Sequence, residues 1–171
     1  MKRTRDMAYI ALFTALTVLC TWIAVPTQPP FTLQMFAVFA AALCLGSRRA
    51  GICVGLYLAL GAVGVPVFAG FGGGIAHLLG ASGGFALGFL PAAMLSGLSA
   101  HRRMPARIFG CITGLAVCYI CGTLWYALVF ARGSVGIGAA TAVCVLPFLL
   151  PDALKIVLAL TLSRVFERHI R

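Results

Sequence analysis

Four long stretches of this chain contain no lysine, arginine, aspartate or glutamate, and they limit its possible folds more than any motif does. They cover residues 7–47, 50–101, 108–131 and 133–151. A hydrocarbon core of roughly 30 Å takes about 20 apolar residues per helix, so each stretch converts into membrane spans. The first two runs each hold a pair of helices and the last two hold one apiece, the final one continuing past Asp152 and Lys155. The residues are 62% hydrophobic with a mean hydropathy of +1.08, a composition that fits lipid as the solvent. The expectation is an all-α, polytopic membrane protein. It forms a single transmembrane domain of six helices at about 6–25, 32–46, 50–65, 85–100, 107–131 and 139–167.

A formal net charge of +10 raises the question of a nucleic-acid partner, and the placement of the charges answers it. With the amino terminus inside, Lys2, Arg3, Arg5, Arg48, Arg49, Arg102, Arg103, Arg107, Arg164, Arg168 and Arg171 all fall on one side of six helices. Only Arg132 falls on the other. This is the positive-inside asymmetry of a multi-pass cell-membrane protein with a cytoplasmic amino terminus, and it implies lipid rather than nucleic acid as the partner. Trp22 and Trp125 then sit near the outer ends of helices 1 and 5, as an aromatic belt would have them. The run from Met7 is too long for a cleaved secretory signal and reads as a retained helix.

Pro26, Pro29 and Pro30 stop the first helix, because proline lacks the donor a helix needs. Residues 66–84, PVFAGFGGGIAHLLGASGG, are too glycine-rich for a stable helix and too apolar for a solvated loop. Irregular backbone at membrane depth survives only against protein or a water-filled cavity, so this segment is expected to form a lid or cavity wall. Pro147 and Pro151 interrupt the outer part of the last helix. Seven cysteines lie in apolar segments, and the Cys118/Cys121 pair, without further ligands nearby, reads as packing.

Asp152 is the one acid inside the spans, and Lys155 the one buried base. At i and i+3 they share a helix face. Ionised groups in hydrocarbon cost several kcal/mol, so such residues ordinarily face a bundle interior and serve a ligand or pathway; the plainer alternative is a self-neutralising structural pair. Three loops converge on the same outer face. One supplies Thr27, Gln28, Thr32 and Gln34, the second the glycine-rich backbone with His77, and the third Arg132. The expected site is therefore a ligand pocket open to the outside. On helix 1, Ala11 and Ala15 form an AxxxA seam on which another helix could pack closely. There is no GxxxxGK[ST], HExxH or GxSxG, and no pair of acids within the spans. An enzyme is not expected, no cofactor is called for, and any ATP-driven step belongs to other chains.

Four pieces in order, PFTLQ (30–34), LGAVGVPVFAGFGGG (60–74), LLGASGGFALGF (78–89) and LPDALK (150–155), resemble the BioY family. Its members are the biotin-specific substrate-capture (S) components of energy-coupling factor (ECF) transporters. The resemblance spans nearly the whole chain. It implies a six-helix protein that binds biotin from outside and delivers it when coupled to a transmembrane T component and a pair of ABC ATPase subunits. It implies that Ala11 and Ala15 dock on the T component and that Asp152 and Lys155 line the biotin site. With these go Gln34, Thr32, Phe68, His77, Ser82 and Phe85 as expected contacts, and Gly73, Gly74, Gly83 and Gly84 as points of close backbone approach. Where the family commonly reads GPTGGY, residues 80–85 read GASGGF, so Phe85 keeps the aromatic surface without the hydroxyl. An S component for thiamine or riboflavin, or a non-transporting structural membrane protein, are the alternatives.

Overall fold

The computed structural model describes residues 2–25, 27 and 30–170, with side chains for 4–25, 27 and 30–168. Pro26, Gln28 and Pro29, expected at the first helix stop and in the first outer loop, lie outside the described residues, as do the side chains of Lys2, Arg3 and Arg171. The chain is predominantly helical. α1 (Lys2–Trp22) ends three residues earlier than the sequence suggests, because Ala24–Val25 and Phe31–Thr32 pair as a small hairpin. Its strands β1 (Ala24–Val25) and β2 (Phe31–Thr32) pair antiparallel, Ala24 opposite Thr32 and Val25 opposite Phe31. α2 (Gln34–Leu45) and α3 (Ser47–Ala62) follow, separated by Gly46, whose φ of 81° makes the tight turn that a side chain would strain.

The glycine-rich segment is irregular, as expected, but holds two short pieces: a 3₁₀ turn at Ala69–Phe71 and α4 (Ile75–Leu78). α5 (Gly83–Leu98) pairs with α6 (Met104–Trp125), which continues as a π turn through Tyr126–Phe130. The last expected helix is broken. α7 (Ile137–Cys144) ends at Val145, a 3₁₀ turn at Leu146–Phe148 contains Pro147, and α8 (Leu149–Ile170) starts afresh. Pro147 cannot continue the ladder, and the break turns Phe148 and the first turn of α8 toward the interior.

α2 is the central post. Residues 37–43 are all fully buried, because α1, α3, α5 and α8 surround it. A helix apolar on every side belongs in such a position. At 12 residues it rises only about 18 Å, well short of a bilayer core. Among the described residues, two helical stretches are long and apolar enough to cross a membrane by themselves, Met104–Phe130 and Ile137–Arg168. α2 and α5 are apolar but shorter, so the span rule alone does not count six.

Small residues bring α5 and α6 together. A Cβ at Gly114 would stand 2.3 Å from Ser96 Oγ and 2.8 Å from the Ala92 carbonyl, and one at Gly88 would stand 3.1 Å from Cys121 Cβ. Close backbone approach of this kind substitutes for the hydrophobic effect, which gives no driving force between helices in lipid. The basic turns gather at one end, where Arg49 pairs with Asp6 at 2.8 Å and Arg107 pairs with Glu167. The hairpin, the glycine-rich segment and the 131–136 turn occupy the other. There Trp22 donates from Nε1 to the Pro66 carbonyl at 3.0 Å and Trp125 to the Gly80 carbonyl at 3.1 Å. Replacing Gly114 by leucine should wedge α5 from α6 at a cost of about 1–3 kcal/mol. Thermal unfolding in detergent should show a lowered transition, and an unchanged one would mean the seam has slack.

Candidate ligand site at the loop end of the bundle

A cavity opens between the α2/α8 side of the bundle and the α5/α6 side. Its walls are mostly apolar and aromatic. Phe68 sits against Tyr57 at 5.5 Å between ring centroids, and its ring occupies the space a Cβ at Gly61 would need. Phe85 fills the equivalent space beside Gly122 on α6. His77 stacks on Phe68 at 4.9 Å and 13°, and desolvation by burial pushes its imidazole below the ordinary histidine range. The neutral ring is thereby favoured in the loop.

The polar groups are few and convergent. Asp152 lies in the first turn of α8, where the helix dipole favours a carboxylate. Its Oδ1 accepts from Lys155 Nζ at 2.7 Å, and its Oδ2 accepts from the Tyr119 hydroxyl at 2.6 Å. Lys155 also lies 4.1 Å from the centroid of the Phe31 ring, a cation–π contact that draws β2 of the hairpin onto α8. Phe31 stacks in turn on Phe148 at 5.8 Å. Both ionised residues are only 4% exposed, so the pair has lost its water and depends on these partners. Gln34 at the start of α2 also lines the cavity at 5% exposed, and its Nε2, near the Tyr57 hydroxyl, has no hydrogen-bond partner within 3.5 Å among the described residues. A buried amide donor without a partner costs about 1–3 kcal/mol, which a ligand acceptor would recover.

The site thus offers a carboxylate acceptor, an ammonium and a free amide donor inside an aromatic box. That chemistry suits a compact, largely apolar molecule carrying both hydrogen-bond donors and acceptors. The family model described as the BioY family matches residues 1–171. The chain belongs to the BioY family. It is 39% identical to the probable biotin transporter BioY of Pyrococcus horikoshii over 162 residues, covering 94% of this chain and 95% of that one. It is 37% identical to the biotin transporter BioY of Thermotoga maritima over 158 residues, 91% of each. Its fold superposes with a TM-score of 0.83 on the crystal structure of the S-component for biotin from an ECF-type ABC transporter. The two are 24% identical, and the match covers 99% of this chain and 97% of that one.

In this BioY-family chain, Asp152, Lys155, Gln34, Thr32, Phe68, His77, Ser82 and Phe85 all line the cavity. Gly73, Gly74, Gly83 and Gly84 are not among its lining residues and stand behind it. A Cβ at Gly83 would overlap the Leu78 carbonyl and one at Gly84 the Trp125 side chain, while Gly74, at a φ of 89°, donates its N–H to the Gly61 carbonyl at 2.7 Å. Close backbone approach at these glycines packs the loop and the start of α5 against α3 and α6. Arg132 also lies outside the lining and takes a φ of 49° in its turn. Ala11 and Ala15 are exposed on the outer face of α1 with Ala8, beside Leu12 and Leu19.

Sequence reasoning missed Tyr119, Tyr57, Cys118, Cys144 and Phe148 in the wall and Phe31 behind Lys155. Tyr57 and Tyr119 carried a usable signal: a phenol in the middle of an apolar run needs a partner for its hydroxyl. Lys155→Ala should strand the Asp152 carboxylate and cost about 3–5 kcal/mol. Asp152→Asn combined with Lys155→Met should recover most of that loss. Thermal unfolding of both variants in detergent checks this, and equal destabilisation would mean that the pair is not electrostatically coupled.

Proposed function

We propose that this protein is a membrane-embedded biotin-binding S component, which captures biotin from outside the cell and mediates its uptake with a T component and ABC ATPase subunits. The observation that carries the reading is the buried Asp152/Lys155 dyad together with the Gln34 amide, unpartnered among the described residues, in one aromatic-walled cavity. Biotin's ureido group has two N–H donors and one acceptor, and its fused rings are apolar. In this reading Asp152 accepts from a ureido N–H, and Gln34 or Lys155 donates to an oxygen. Phe68 and Phe85 flank the rings, with Thr32, His77 and Ser82 completing the wall. Gly73, Gly74, Gly83 and Gly84 contribute by keeping the lid close.

The chain is proposed to form a single transmembrane domain of six spans, the short ones accommodated by local thinning of the membrane. Both termini then face the cytoplasm, since the basic turns lie at the end opposite the cavity. The exposed small-residue face of α1 at Ala11 and Ala15 is the proposed docking surface for the T component. Energy comes from the partner ATPases, and biotin is the substrate rather than a cofactor.

Calorimetry of the detergent-purified protein should give saturable 1:1 binding of biotin and none of thiamine or riboflavin. Asp152→Asn and Gln34→Ala should each weaken biotin binding by about tenfold or more, and wild-type affinity in both would sink the assignment. Ala11→Leu with Ala15→Leu should leave biotin affinity intact while abolishing uptake in cells that carry the T and ATPase subunits. Retained uptake would remove α1 from the coupling surface.

A further inference from the structure

We propose that Tyr119 is a specificity-determining positioning residue: it holds Asp152 in the one orientation in which the carboxylate can accept a ligand N–H. The inference rests on the biotin-binding reading above. An ionised carboxylate has about four lone-pair sites. Lys155 occupies one on Oδ1 and Tyr119 one on Oδ2, which leaves one on each oxygen for a ligand. With a donor fixed on either oxygen, the carboxylate plane cannot rotate about its χ2 bond. Lys155 alone would allow that rotation, because it comes from the same helix and its ammonium can follow the carboxylate.

Tyr119 differs in coming from the opposite wall. It sits on α6, which packs mainly on α5, whereas Asp152 is on α8, which packs mainly on α2. The 2.6 Å bond therefore joins the two sides where they meet at the cavity, and Tyr119 itself lines that cavity. The bond is not needed to tie α6 to α8, since the Arg107–Glu167 ion pair joins them at the far end. Tyr119 is also seated firmly. Neighbouring Cys118 is fully buried, with its Sγ donating to the Phe85 carbonyl at 3.7 Å, and Gly122 one turn on admits the Phe85 ring. The phenol is thus carried on the best-packed helix pair of the molecule, a suitable anchor for an acceptor that must keep its direction.

The test compares Tyr119→Phe with wild type for binding of biotin and of its two cyclic carbamate analogues, each with one ureido N–H replaced by a ring oxygen. The wild type should discriminate strongly against one of them. Tyr119→Phe should weaken biotin binding by about tenfold to a hundredfold while changing affinity for that analogue by less than about threefold, so the discrimination collapses. In an Asp152→Asn background the same substitution should cost less than about threefold, because its effect runs through the carboxylate. Equal weakening of biotin and analogue, unchanged biotin affinity, or a full effect in the Asp152→Asn background would each overturn the role. A thermal unfolding transition reports whether Tyr119→Phe folds. If it does not, Tyr119→4-fluorophenylalanine, which fills the space of the hydroxyl without donating, should show the same loss of discrimination, and retained discrimination overturns the role equally. Failure of the wild type to bind biotin at all would overturn the functional reading itself, and is seen before any variant is compared.

Discussion

A carboxylate nearly stripped of water in the body of an apolar bundle needs partners on every side, and the loop end of this molecule is arranged around meeting that need for Asp152. The break at residues 145–148 starts a new helix there, so that the positive end of its dipole falls at the acid. Lys155 supplies the counter-charge from one turn along, Tyr119 a second donor from the opposite wall, and Phe31 an aromatic face for the ammonium. Three segments distant in sequence are thereby drawn to one point. The two-residue strands of the hairpin would be marginal alone; the contacts of Phe31 with Lys155 and Phe148 give them an anchor.

The rest of the bundle makes room for this arrangement without collapsing on it. Lipid provides no hydrophobic drive for helices to associate, so the interior depends on close contact between small residues. Glycine and serine let α5 and α6 touch along their length, and alanines fill the core of α2. The same small residues seat the aromatic walls: Gly61 makes space for Phe68, and Gly122 for Phe85. The cavity lies where the α2/α8 and α5/α6 sides part, lined largely by aromatic rings.

Much of the site was legible in the sequence because its central feature is a violation of the surrounding pattern. One acid and one lysine in an uncharged body have few explanations, and the glycine-rich segment is suited to neither a long helix nor a solvated loop. Eight of the residues singled out do line the cavity. The glycines were harder to read. A glycine that admits a ligand and a glycine that admits a neighbouring helix look the same in sequence, and Gly83 and Gly84 turn out to meet Leu78 and Trp125. Tyr119 and Phe31 escaped for a related reason, since their roles exist only in relation to residues 33 and 124 positions away.

The sequence by itself determined the class of protein, the clustering of its basic residues at the span ends and the exceptional standing of Asp152 and Lys155 in an uncharged body. Those follow from local composition and the cost of charge in hydrocarbon, and need no knowledge of what packs on what. The tertiary structure alone decided that the last helix breaks at Pro147 and not at Pro151, that a hairpin closes on Lys155, and that Tyr119 faces the cavity that Gln34 lines. These are outcomes of long-range contact. They depend on which small residues let which helices approach, and hydropathy carries no record of that choice.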